Sequence, residues 1–559
     1  MVWRGAAVVM AAAALLDLSC PPAAAQPAAA QASPINPAAA IDKVFERWDR
    51  TGTPGCAVGV SERGQVVHSK AYGMANLEHG IRNWPTTVFE SGSVAKQFTA
   101  AAVGLLAQEG KLSLDDPVRR YVPELPDFGT PILVRHLLNH TSGLRSQWPM
   151  LTLAGRPPGE AVHTVTEILE LVGYYKELNF KPGDEFLYNN TAFTLLGVIV
   201  QRVSGQSLQA FCQERLFGPL GMTRTQWRED FTAIVPNRAT AYRLLPDGTF
   251  RANMPFTNVI GNGGLLTTVG DLLIWNDNLD RPRVGGQDLV DRLQTRGRLN
   301  DGFENEYAQG LYVTRYRGVR EVSHGGTTAG YQTFLARFPD HGLSVAVLCN
   351  TNGTNPSRYA HEIADIMLAG RLDDLPVVRA VEVAPEVLER MAGVYREAST
   401  DAVLRLAWDP KARVLRAGGQ ALVPTGPGEM YAQDGSRRFS TGRGWPDAVA
   451  PGGLIETSER AKPRRWDLQR PFRPDMAQLR EFAGDYSSEE LGVTYTFHVE
   501  GDVLKLRFRP AQRFTLQPVF KDAFEADGTT IRFTRSPDGT VDGLRIFAGR
   551  ARHVRFVRR

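Results

Sequence analysis

An internal repeat in the last third of the chain limits what that part can fold into more than any other feature of the sequence. The segment LERMAGVY at 388–395 recurs as LREFAGDY at 479–486. An alternating segment follows each copy, and the turn residues Asp409 and Glu500 each lie fourteen positions after the repeat tyrosine. Period-2 patterning and frequent turns favour antiparallel strands. We therefore predict two related all-β modules, each a small antiparallel barrel.

The N-terminal segment is predicted to direct export and to be removed. Residues 1–25 combine Arg4 with an apolar stretch and with small residues that end at Ala25, a pattern typical of a secretory signal peptide. We expect cleavage near Ala25 and a periplasmic or secreted protein, with lipidation at Cys20 as an alternative. No later stretch is apolar enough to span a bilayer, so stable membrane insertion is not expected.

Between the signal segment and the repeat, helical and strand patterns mix. Two hairpins are predicted, with turns at 62–64 and 340–342, and helical patterns lie between them. Strands at both ends of this region favour one α/β domain whose termini share a sheet. The predicted boundaries are a disordered linker at 26–39, the α/β domain at 40–370, a second linker at 371–385, and β modules at 386–472 and 473–559.

Charge and cysteine content narrow the function classes. The formal net charge is +4 and no dense basic run stands out, so nucleic acid is not expected as a partner. Without the signal segment the chain keeps Cys56, Cys212 and Cys349, an odd number that does not indicate a disulfide framework. Cys56 and Cys349 lie in strand-like segments, where a buried thiol is the simplest interpretation.

A lysine at the start of an apolar helix is the first sign of catalysis. Ser93 and Lys96 lie three residues apart in ESGSVAKQFTAAAVGLLAQEG, so a helix would place both side chains on one face. A serine hydroxyl needs a neighbouring base, and burial lowers the pKa of a lysine so that it can act as one. A serine N-cap beside a lysine whose amine reaches solvent would explain the motif equally well.

Two later segments carry polar residues beside apolar elements. In KPGDEFLYNNTAF, Tyr188 and Asn190 come just before an apolar helix and project to one side if the chain is extended there. In EVSHGGTT, a strand ends in His324, and Gly325 and Gly326 would let a substrate approach the strand backbone. Each segment has a structural alternative, namely an aromatic anchor with a helix cap, and a turn histidine beside flexible glycines.

Taken in order, Ser93-Val-Ala-Lys96, Tyr188-Asn-Asn190 and His324-Gly-Gly326 resemble the three motifs of the penicillin-recognising serine hydrolases. The resemblance is greatest to the class C β-lactamase-like branch, which includes D-aminopeptidases, D,D-peptidases and esterases. VRHLLNHTSGL, LFGPLGMTRT and GNGGLLTTVGDLLIW are similar to further landmarks of that family. The resemblance covers about residues 40–365. It implies an α/β (α+β) serine β-lactamase/D,D-peptidase-like domain, with an antiparallel sheet flanked by helices, followed by two lipocalin-like all-β modules.

The resemblance implies a role for each residue of the first two motifs. Ser93 would be the nucleophile that forms an acyl-enzyme, and Lys96 would help to deprotonate it. Tyr188 would be a general base in its phenolate form, and Asn190 would orient Lys96 or the substrate amide. Water would then release the acyl group, so neither a cofactor nor a metal is expected.

In the third motif, His324 would lie on an edge strand. The N–H groups of Ser93 and Thr327 would form the oxyanion hole, and Gly325 and Gly326 would line the substrate site. Many β-lactamases and peptidases carry a lysine or arginine at this place, where a permanent cation helps to hold the substrate carboxylate. Histidine is only partly charged at neutral pH. A histidine here, together with two C-terminal β modules, is similar to the D-aminopeptidases.

The predicted function is hydrolysis of small D-amino-acid amides or short peptides by an exported serine hydrolase. A carboxylesterase, or a D,D-carboxypeptidase or weak β-lactamase, would use the same site. A non-catalytic penicillin-binding-type sensor or scaffold is the alternative of another class, and a homodimer is left open. His136 and His140 have the spacing of a helical zinc pair, but HLLNH lacks the glutamate of a metalloprotease, so metal binding is not expected.

Two further expectations come from the resemblance alone. In the family fold the first and last strands of the catalytic domain are antiparallel neighbours, which would place Cys56 near Cys349. In the D-aminopeptidases a loop of the last module reaches into the catalytic cleft. The segment RFRPAQRFTLQP at 507–518 is the candidate for that loop here.

Overall fold

A computed structural model describes residues 36–374, 379–433, 437–442, 453–458, 461–509 and 512–559. The predicted signal peptide lies outside these residues. The helix Pro37–Phe45 begins inside the predicted linker 26–39, because the Asn36 side chain accepts a hydrogen bond from the Ala38 N–H and a proline occupies the first helical turn. No helix of the described residues is both long and apolar enough to cross a lipid bilayer.

An antiparallel sheet forms the centre of the N-terminal domain. The first strand of the sheet in chain order begins at Cys56, and the last one ends at Cys349. These two strands are hydrogen-bonded neighbours, which confirms that the two ends of the domain share a sheet. Both predicted hairpins are present, with turns at 63–64 and 339–342. Among the described residues the strands in spatial order are Tyr312–Tyr316, Val319–Thr328, Tyr331–Phe338, Leu343–Cys349, Cys56–Glu62 and Gln65–Tyr72.

The pairing of these strands brings two cysteines into a disulfide. Cys56 lies directly opposite Cys349 in the antiparallel register, and the two are bonded. This confirms the expectation from the family fold that Cys56 lies near Cys349. The interpretation of both residues as buried thiols is wrong, because the local sequence around each cysteine does not reveal which strand pairs with it. Cys212 is a buried free thiol.

Helices cover both faces of the sheet. Along Cys56–Glu62, Ala57 packs into one hydrophobic cluster and Val58 into another, which explains why the strand is apolar without alternation. Helices Pro37–Phe45 and Pro356–Met367 pack on the Val58 face. The remaining α-helices of the domain are Lys96–Gln108, Val134–Leu138, Gln147–Leu153, Val165–Gly173, Asn190–Ser204, Leu208–Cys212, Gly218–Leu220, Val269–Asp280 and Gly286–Gln294.

Short elements complete this domain. Two-residue and three-residue strands pair outside the main sheet, and single helical turns connect the longer elements. The short strands are Met74–Asn76 with Ile81–Arg82, Phe89–Glu90 with Leu265–Thr267 and Gln226–Trp227, His163–Thr164 with Thr257–Asn258, and Tyr242–Leu244 with Phe250–Ala252. The 3-10 turns are Glu46–Trp48, Gly92–Ala95, Val118–Arg120 and Pro339–His341, and Gln213–Phe217 is a π-helical turn.

The first β module, called module 1, is a closed barrel that begins after helix Pro385–Arg390. Its first and last strands pair through Tyr395 and Leu468, which closes the barrel. The Tyr395 hydroxyl donates to the Met391 carbonyl oxygen at 2.9 Å. Its described strands are Gly393–Arg396, Val403–Asp409, Val414–Ala417, Gln420–Gly426, Glu429–Ala432, Arg438–Ser440, Leu454–Ser458 and Ala461–Leu468.

The second β module, called module 2, repeats this start and confirms the internal repeat. Helix Met476–Phe482 precedes it, and the Tyr486 hydroxyl donates to the Phe482 carbonyl oxygen at 3.1 Å. Its sheet curls into a nearly closed barrel. The described strands are Gly484–Ser488, Val493–Glu500, Val503–Arg509, Gln512–Thr515, Gln517–Phe520, Ala523–Ala526, Thr529–Arg535, Val541–Ala548 and Ala551–Arg558.

The two modules differ in how they join the N-terminal domain. The apolar interior of module 1 is a separate cluster, whereas that of module 2 is continuous with the core of the N-terminal domain. At this junction the buried Tyr495 hydroxyl of module 2 donates to the Leu153 carbonyl oxygen at 2.8 Å. Module 2 is therefore packed against the N-terminal domain as part of one core.

Candidate active site

Ser93 lies in a 3-10 turn, Gly92–Ala95, directly before the helix Lys96–Gln108, which we call the nucleophile helix. The α-helix therefore begins at Lys96 and not at Ser93, but the tight turn still places both side chains together. Every residue of the helix from Lys96 to Leu106 is buried. The apolar segment noted in the sequence is thus a buried helix, and Lys96 is the one lysine in it.

Lys96 is completely buried, and its hydrogen-bond partners among the described residues are all neutral groups. Its Nζ donates to Asn190 Oδ1 at 2.9 Å and to the Asn262 carbonyl oxygen at 2.5 Å, and it lies 3.1 Å from Ser93 Oγ. Burial lowers the pKa of Lys96 well below its ordinary value, and the positive charge of Arg550 lowers it further. Both effects favour the neutral amine over the ammonium.

Tyr188 and Asn190 flank a helix cap. The Asn189 side chain accepts a hydrogen bond from the Ala192 N–H at 3.0 Å and so begins the helix Asn190–Ser204. This cap holds Asn190 where its Oδ1 reaches Lys96. Just before the cap, the Tyr188 ring packs against His140, with 4.2 Å between ring centroids.

The Tyr188 hydroxyl is a buried polar group that is left without a hydrogen bond of normal geometry among the described residues. Burial raises the pKa of Tyr188 above its ordinary value, and the nearby Ser93 hydroxyl lowers it by less. Tyr188 is therefore a neutral phenol in the resting site. The direction of this shift runs against the phenolate that the resemblance implied.

The strand Val319–Thr328, which we call the cleft strand, carries the third motif. It is the second strand of the sheet, but its outer neighbour pairs only as far as Ser323. From His324 onward, therefore, the cleft strand is itself the edge of the sheet among the described residues. The expected edge position applies to the half of the strand that carries the motif.

His324 is buried and uncharged. Its Nδ1 lies 2.6 Å from the Gly325 carbonyl oxygen, which only accepts, so Nδ1 carries the proton and donates. Nε2 then accepts from the Tyr307 hydroxyl at 3.1 Å. Burial, and then the charge of Lys96, lower the pKa of His324 to about 3. A neutral imidazole thus stands where a permanent cation would hold a carboxylate.

The depressed pKa of His324 predicts how stability depends on pH. As the pH falls from 6.5 towards 3, the unfolded chain binds a proton at this histidine and the folded chain does not. The free energy of unfolding should therefore fall by up to about 1.4 kcal/mol per pH unit from this group alone. Burial also lowers the pKa of His140, which adds in the same direction.

The check is thermal unfolding from pH 8 to pH 4 for wild type and His324→Gln. The amide keeps a hydrogen-bonding side chain but does not titrate, so the melting temperature of the variant should fall less steeply below pH 6.5. Parallel curves for the two proteins would show that His324 is not neutral in the folded state.

The two glycines of the third motif are not equivalent. A Cβ on Gly326 would lie 2.0 Å from the Ser91 carbonyl oxygen, whereas a Cβ on Gly325 would meet Phe334 at an ordinary 3.5 Å. Gly92 approaches from the other side, because a Cβ there would lie 2.7 Å from the Thr327 nitrogen. Only glycine lets the nucleophile turn and the cleft strand come this close, which sets the Ser93 and Thr327 backbones side by side.

Gly326→Ala should therefore disrupt the site more than Gly325→Ala. The added methyl group would push the cleft strand away from Ser91 and separate the two candidate oxyanion donors, and loss of one such donor typically lowers kcat by about 10² to 10³. The measurement is kcat for both variants, with circular dichroism as the control for folding. Equal effects of the two substitutions would contradict this interpretation of the close approach.

The predicted site residues line one cleft of about 680 Å³. It brings together Ser93, Tyr188, Asn190, His324, Gly325, Gly326 and Thr327, with Lys96 buried beneath them. Arg550 of module 2 also lines the cleft. It lies at the turn between Val541–Ala548 and Ala551–Arg558, which we call the cleft hairpin.

The cleft hairpin corrects the choice of the loop at 507–518. Within that segment, the side chains of Phe508 and Arg509 pack next to Gly155, so close that a Cβ atom at position 155 would clash with them. Neither residue lines the cleft. Residues 510–511 lie outside the described residues. Proline and arginine content was not a sufficient guide, since the loop that enters the cleft is a tight turn without a distinctive composition.

Sequence reasoning missed several contributors to the site. Asn262 acts through its backbone carbonyl oxygen, which leaves no mark in the sequence, although its segment was noted as a landmark. His140 was considered only as a metal ligand, yet its Nδ1 accepts from the Asn189 N–H at 3.1 Å and its ring supports Tyr188. Tyr307 contacts His324, and Arg550 reaches the cleft, through tertiary contacts that no local pattern signals.

The comparisons with known sequences agree on one family. A protein-family model described as Beta-lactamase matches residues 40–368. A D-aminopeptidase of Brucella anthropi is 30% identical over 330 residues, which are 58% of this chain and 62% of that relative. This alignment covers less than two thirds of the relative. A second D-aminopeptidase, of Brucella anthropi strain ATCC 49188, is 28% identical over 536 residues, which are 90% of this chain and 95% of that relative.

Solved structures show the same architecture. The octameric penicillin-binding protein homologue from Pyrococcus abyssi has a TM-score of 0.53 at 22% identity, covering 92% of this chain and 98% of that one. A D-amino acid amidase from Ochrobactrum anthropi SV3, complexed with D-phenylalanine, has a TM-score of 0.51 at 21% identity, and the match covers 60% of this chain and 99% of that one. At these identities the likeness concerns the fold, and it confirms the predicted fold class.

Proposed function

The chain belongs to the beta-lactamase family, and from this we propose that it is a serine hydrolase that works through an acyl-enzyme. The observation that carries the proposal is the place of the Lys96 amine, which is buried 3.1 Å from Ser93 Oγ. A neutral amine has two N–H groups and one lone pair. In that form Asn190 and the Asn262 carbonyl oxygen accept from the two N–H groups, and the lone pair is left for the hydroxyl proton of Ser93.

Acylation would begin at this contact. Lys96 accepts the Ser93 proton while Ser93 Oγ attacks the substrate carbonyl carbon. The negative charge on the substrate oxygen is received by the backbone N–H groups of Ser93 and Thr327, which the glycine contacts hold side by side. Burial of Lys96 favours the uncharged amine that this step requires.

Tyr188 would serve the leaving group. Its buried hydroxyl is free of other hydrogen bonds among the described residues, so it is able to donate a proton to the departing nitrogen and to regain one from Lys96. The Lys96 amine lies 4.9 Å from the Tyr188 ring centroid, within the same enclosed space. Water activated by the same pair would then hydrolyse the acyl-enzyme.

The proposed substrates are small D-amino-acid amides and short peptides. Relatives called D-aminopeptidase at 28% and 30% identity support a hydrolase of this type. The entry of module 2 into the cleft supports small substrates, since a hairpin at the rim leaves less room for long ones. A non-catalytic scaffold would have no use for a buried neutral lysine beside a serine hydroxyl.

The test combines a probe with a matched pair of substrates. A fluorophosphonate labels only an activated serine, and D-alanine and L-alanine p-nitroanilides differ only in configuration. We expect labelling and faster hydrolysis of the D-anilide. Labelling with turnover of short p-nitrophenyl esters alone would favour an esterase, and a protein that is not labelled would be a sensor or scaffold.

A further inference from the structure

Arg550 is a permanent cation in the cleft without a neutralising partner. Its side chain is exposed, and among the described residues no carboxylate lies within ion-pair distance of its guanidinium. The acidic residue that lines the same cleft is Glu321, which is buried and paired with His361 at 3.0 Å. Glu321 lies three positions before His324 on the strand, so its side chain leaves the opposite face of the sheet.

Burial works against charge on the other titratable groups at the catalytic end of the cleft. It lowers the pKa values of Lys96, His140 and His324, and it raises the pKa of Tyr188. The exposed guanidinium of Arg550, which lines the cleft, is therefore well placed to attract an anionic substrate group towards Ser93.

The backbone of Arg550 is held firmly in place. Its carbonyl oxygen accepts from the Ser146 N–H and from Asn179 Nδ2, both at 3.1 Å. Asn179 Oδ1 also accepts from the Arg552 N–H at 2.8 Å. The side chain of Arg552 pairs with Glu185 at 2.8 Å. The cleft hairpin is thus anchored to the N-terminal domain at the turn and at the start of the strand that follows it.

The buried Arg145 adds a second anchor. It has no exposed surface, and it donates to the carbonyl oxygens of Arg552 at 3.0 Å and His553 at 3.2 Å while pairing with Glu490. Four residues of the N-terminal domain, Ser146, Asn179, Glu185 and Arg145, therefore fix the backbone from which the Arg550 side chain extends. Because its backbone is fixed in this way, the Arg550 side chain always starts from the same position at the cleft.

The guanidinium lies on the leaving-group side. Its carbon atom is 4.7 Å from the centroid of the Tyr188 ring, and Tyr188 is the proton donor to the leaving group in the proposed reaction. A carboxylate on the residue that departs would lie within reach of this guanidinium, and the planar fork of arginine suits a carboxylate through two parallel hydrogen bonds.

We propose that Arg550 is a specificity-determining residue that binds a carboxylate on the leaving-group residue of the substrate. The enzyme then prefers short D-amino-acid peptides that end in a free carboxylate over the same peptides ending in an amide. This inference rests on the proposed function and narrows its substrate class.

The test uses two substrates that differ in one terminal group, D-alanyl-glycine and D-alanyl-glycinamide. In wild type the ratio of kcat/KM should favour the carboxylate by about 10- to 100-fold, the factor carried by a hydrogen bond to a charged group. Arg550→Ala should bring the ratio towards 1, and Arg550→Lys should restore part of it. Added salt should also reduce the wild-type ratio, because the guanidinium is exposed.

Arg513→Ala is the matched control. Arg513 is an exposed arginine of module 2 that does not line the cleft, so its removal changes the net charge equally and should leave the ratio as in wild type. Protection of Ser93 from the fluorophosphonate by each dipeptide gives a second readout that does not require fast turnover.

The outcomes separate the two proposals. A wild-type ratio near 1, or a ratio that Arg550→Ala leaves unchanged in a protein still labelled by the probe, overturns the role of Arg550 and leaves the serine hydrolase intact. A wild-type protein that is neither labelled nor active overturns the proposed function, and the role of Arg550 with it. Removing all of module 2 is a poorer test, because Arg145 and Asn179 would lose their partners.

Discussion

Ser93→Ala should lower kcat by a factor on the order of 10⁶ and abolish fluorophosphonate labelling, while the melting temperature stays near that of wild type. The loss is this large because the acyl group has to bond to the Ser93 oxygen, and only binding and the oxyanion donors would remain. The fold should be little affected, since the side chain is partly exposed to the cleft and loses one hydroxyl group.

Ser91→Ala is the matched control for this experiment. Ser91 is buried two residues earlier, and its hydroxyl has no hydrogen-bond partner among the described residues. The substitution removes a hydroxyl group from the residue just before the turn, and because that hydroxyl makes no hydrogen bond with the described residues, activity close to wild type is expected. If Ser93→Ala kept more than about a tenth of wild-type activity, another residue would be the nucleophile.

Lys96→Met and Tyr188→Phe should each lower kcat severely, by about 10² to 10⁴, and the double variant should be little worse than the more damaged single variant. The reason is that the two side chains form one proton path, from Ser93 through Lys96 to Tyr188 and the leaving group. Once either is absent, the other has no proton to pass on. The measurement is kcat for a p-nitroanilide in all four proteins.

Methionine is chosen because it fills the space of lysine without its amine. Lys111→Met is the control, because Lys111 is an exposed lysine outside the cleft and its removal should not change kcat. If the losses of the two single variants multiply in the double variant, Lys96 and Tyr188 act independently and the shared proton path is wrong.

The parts of the site that the sequence predicted are those in which a few adjacent residues act together. Ser93 and Lys96 are separated by one helical turn, and Tyr188 and Asn190 by one residue, so local geometry already brings each pair to one side. The repeat likewise predicted the modules, because Tyr395 and Tyr486 make the same contact in both. A pattern of this kind survives in the sequence because the contacts span only a few residues.

What could not be predicted depends on distance in space. The protonation of Tyr188 and His324 follows from burial, and burial at a cleft is set by elements far away in the chain. The disulfide required the register of Cys56–Glu62 against Leu343–Cys349. Arg550 enters the site only because Arg145 and Asn179 fix the cleft hairpin, and neither residue carries a motif.

The anchoring of module 2 has a consequence for the order in which the protein is synthesised. The ribosome synthesises the N-terminal domain before module 2. Arg145 therefore lacks the carbonyl oxygens that it binds in the folded protein until the final strand, Ala551–Arg558, has been made. Until then Arg145 keeps only Glu177 as an ion-pair partner, at 3.6 Å, and the apolar surface that module 2 covers in the shared core is exposed. Prematurely terminated chains should therefore be unstable and readily degraded by proteases. Only full-length chains, in which the cleft hairpin is in place at the cleft, should accumulate.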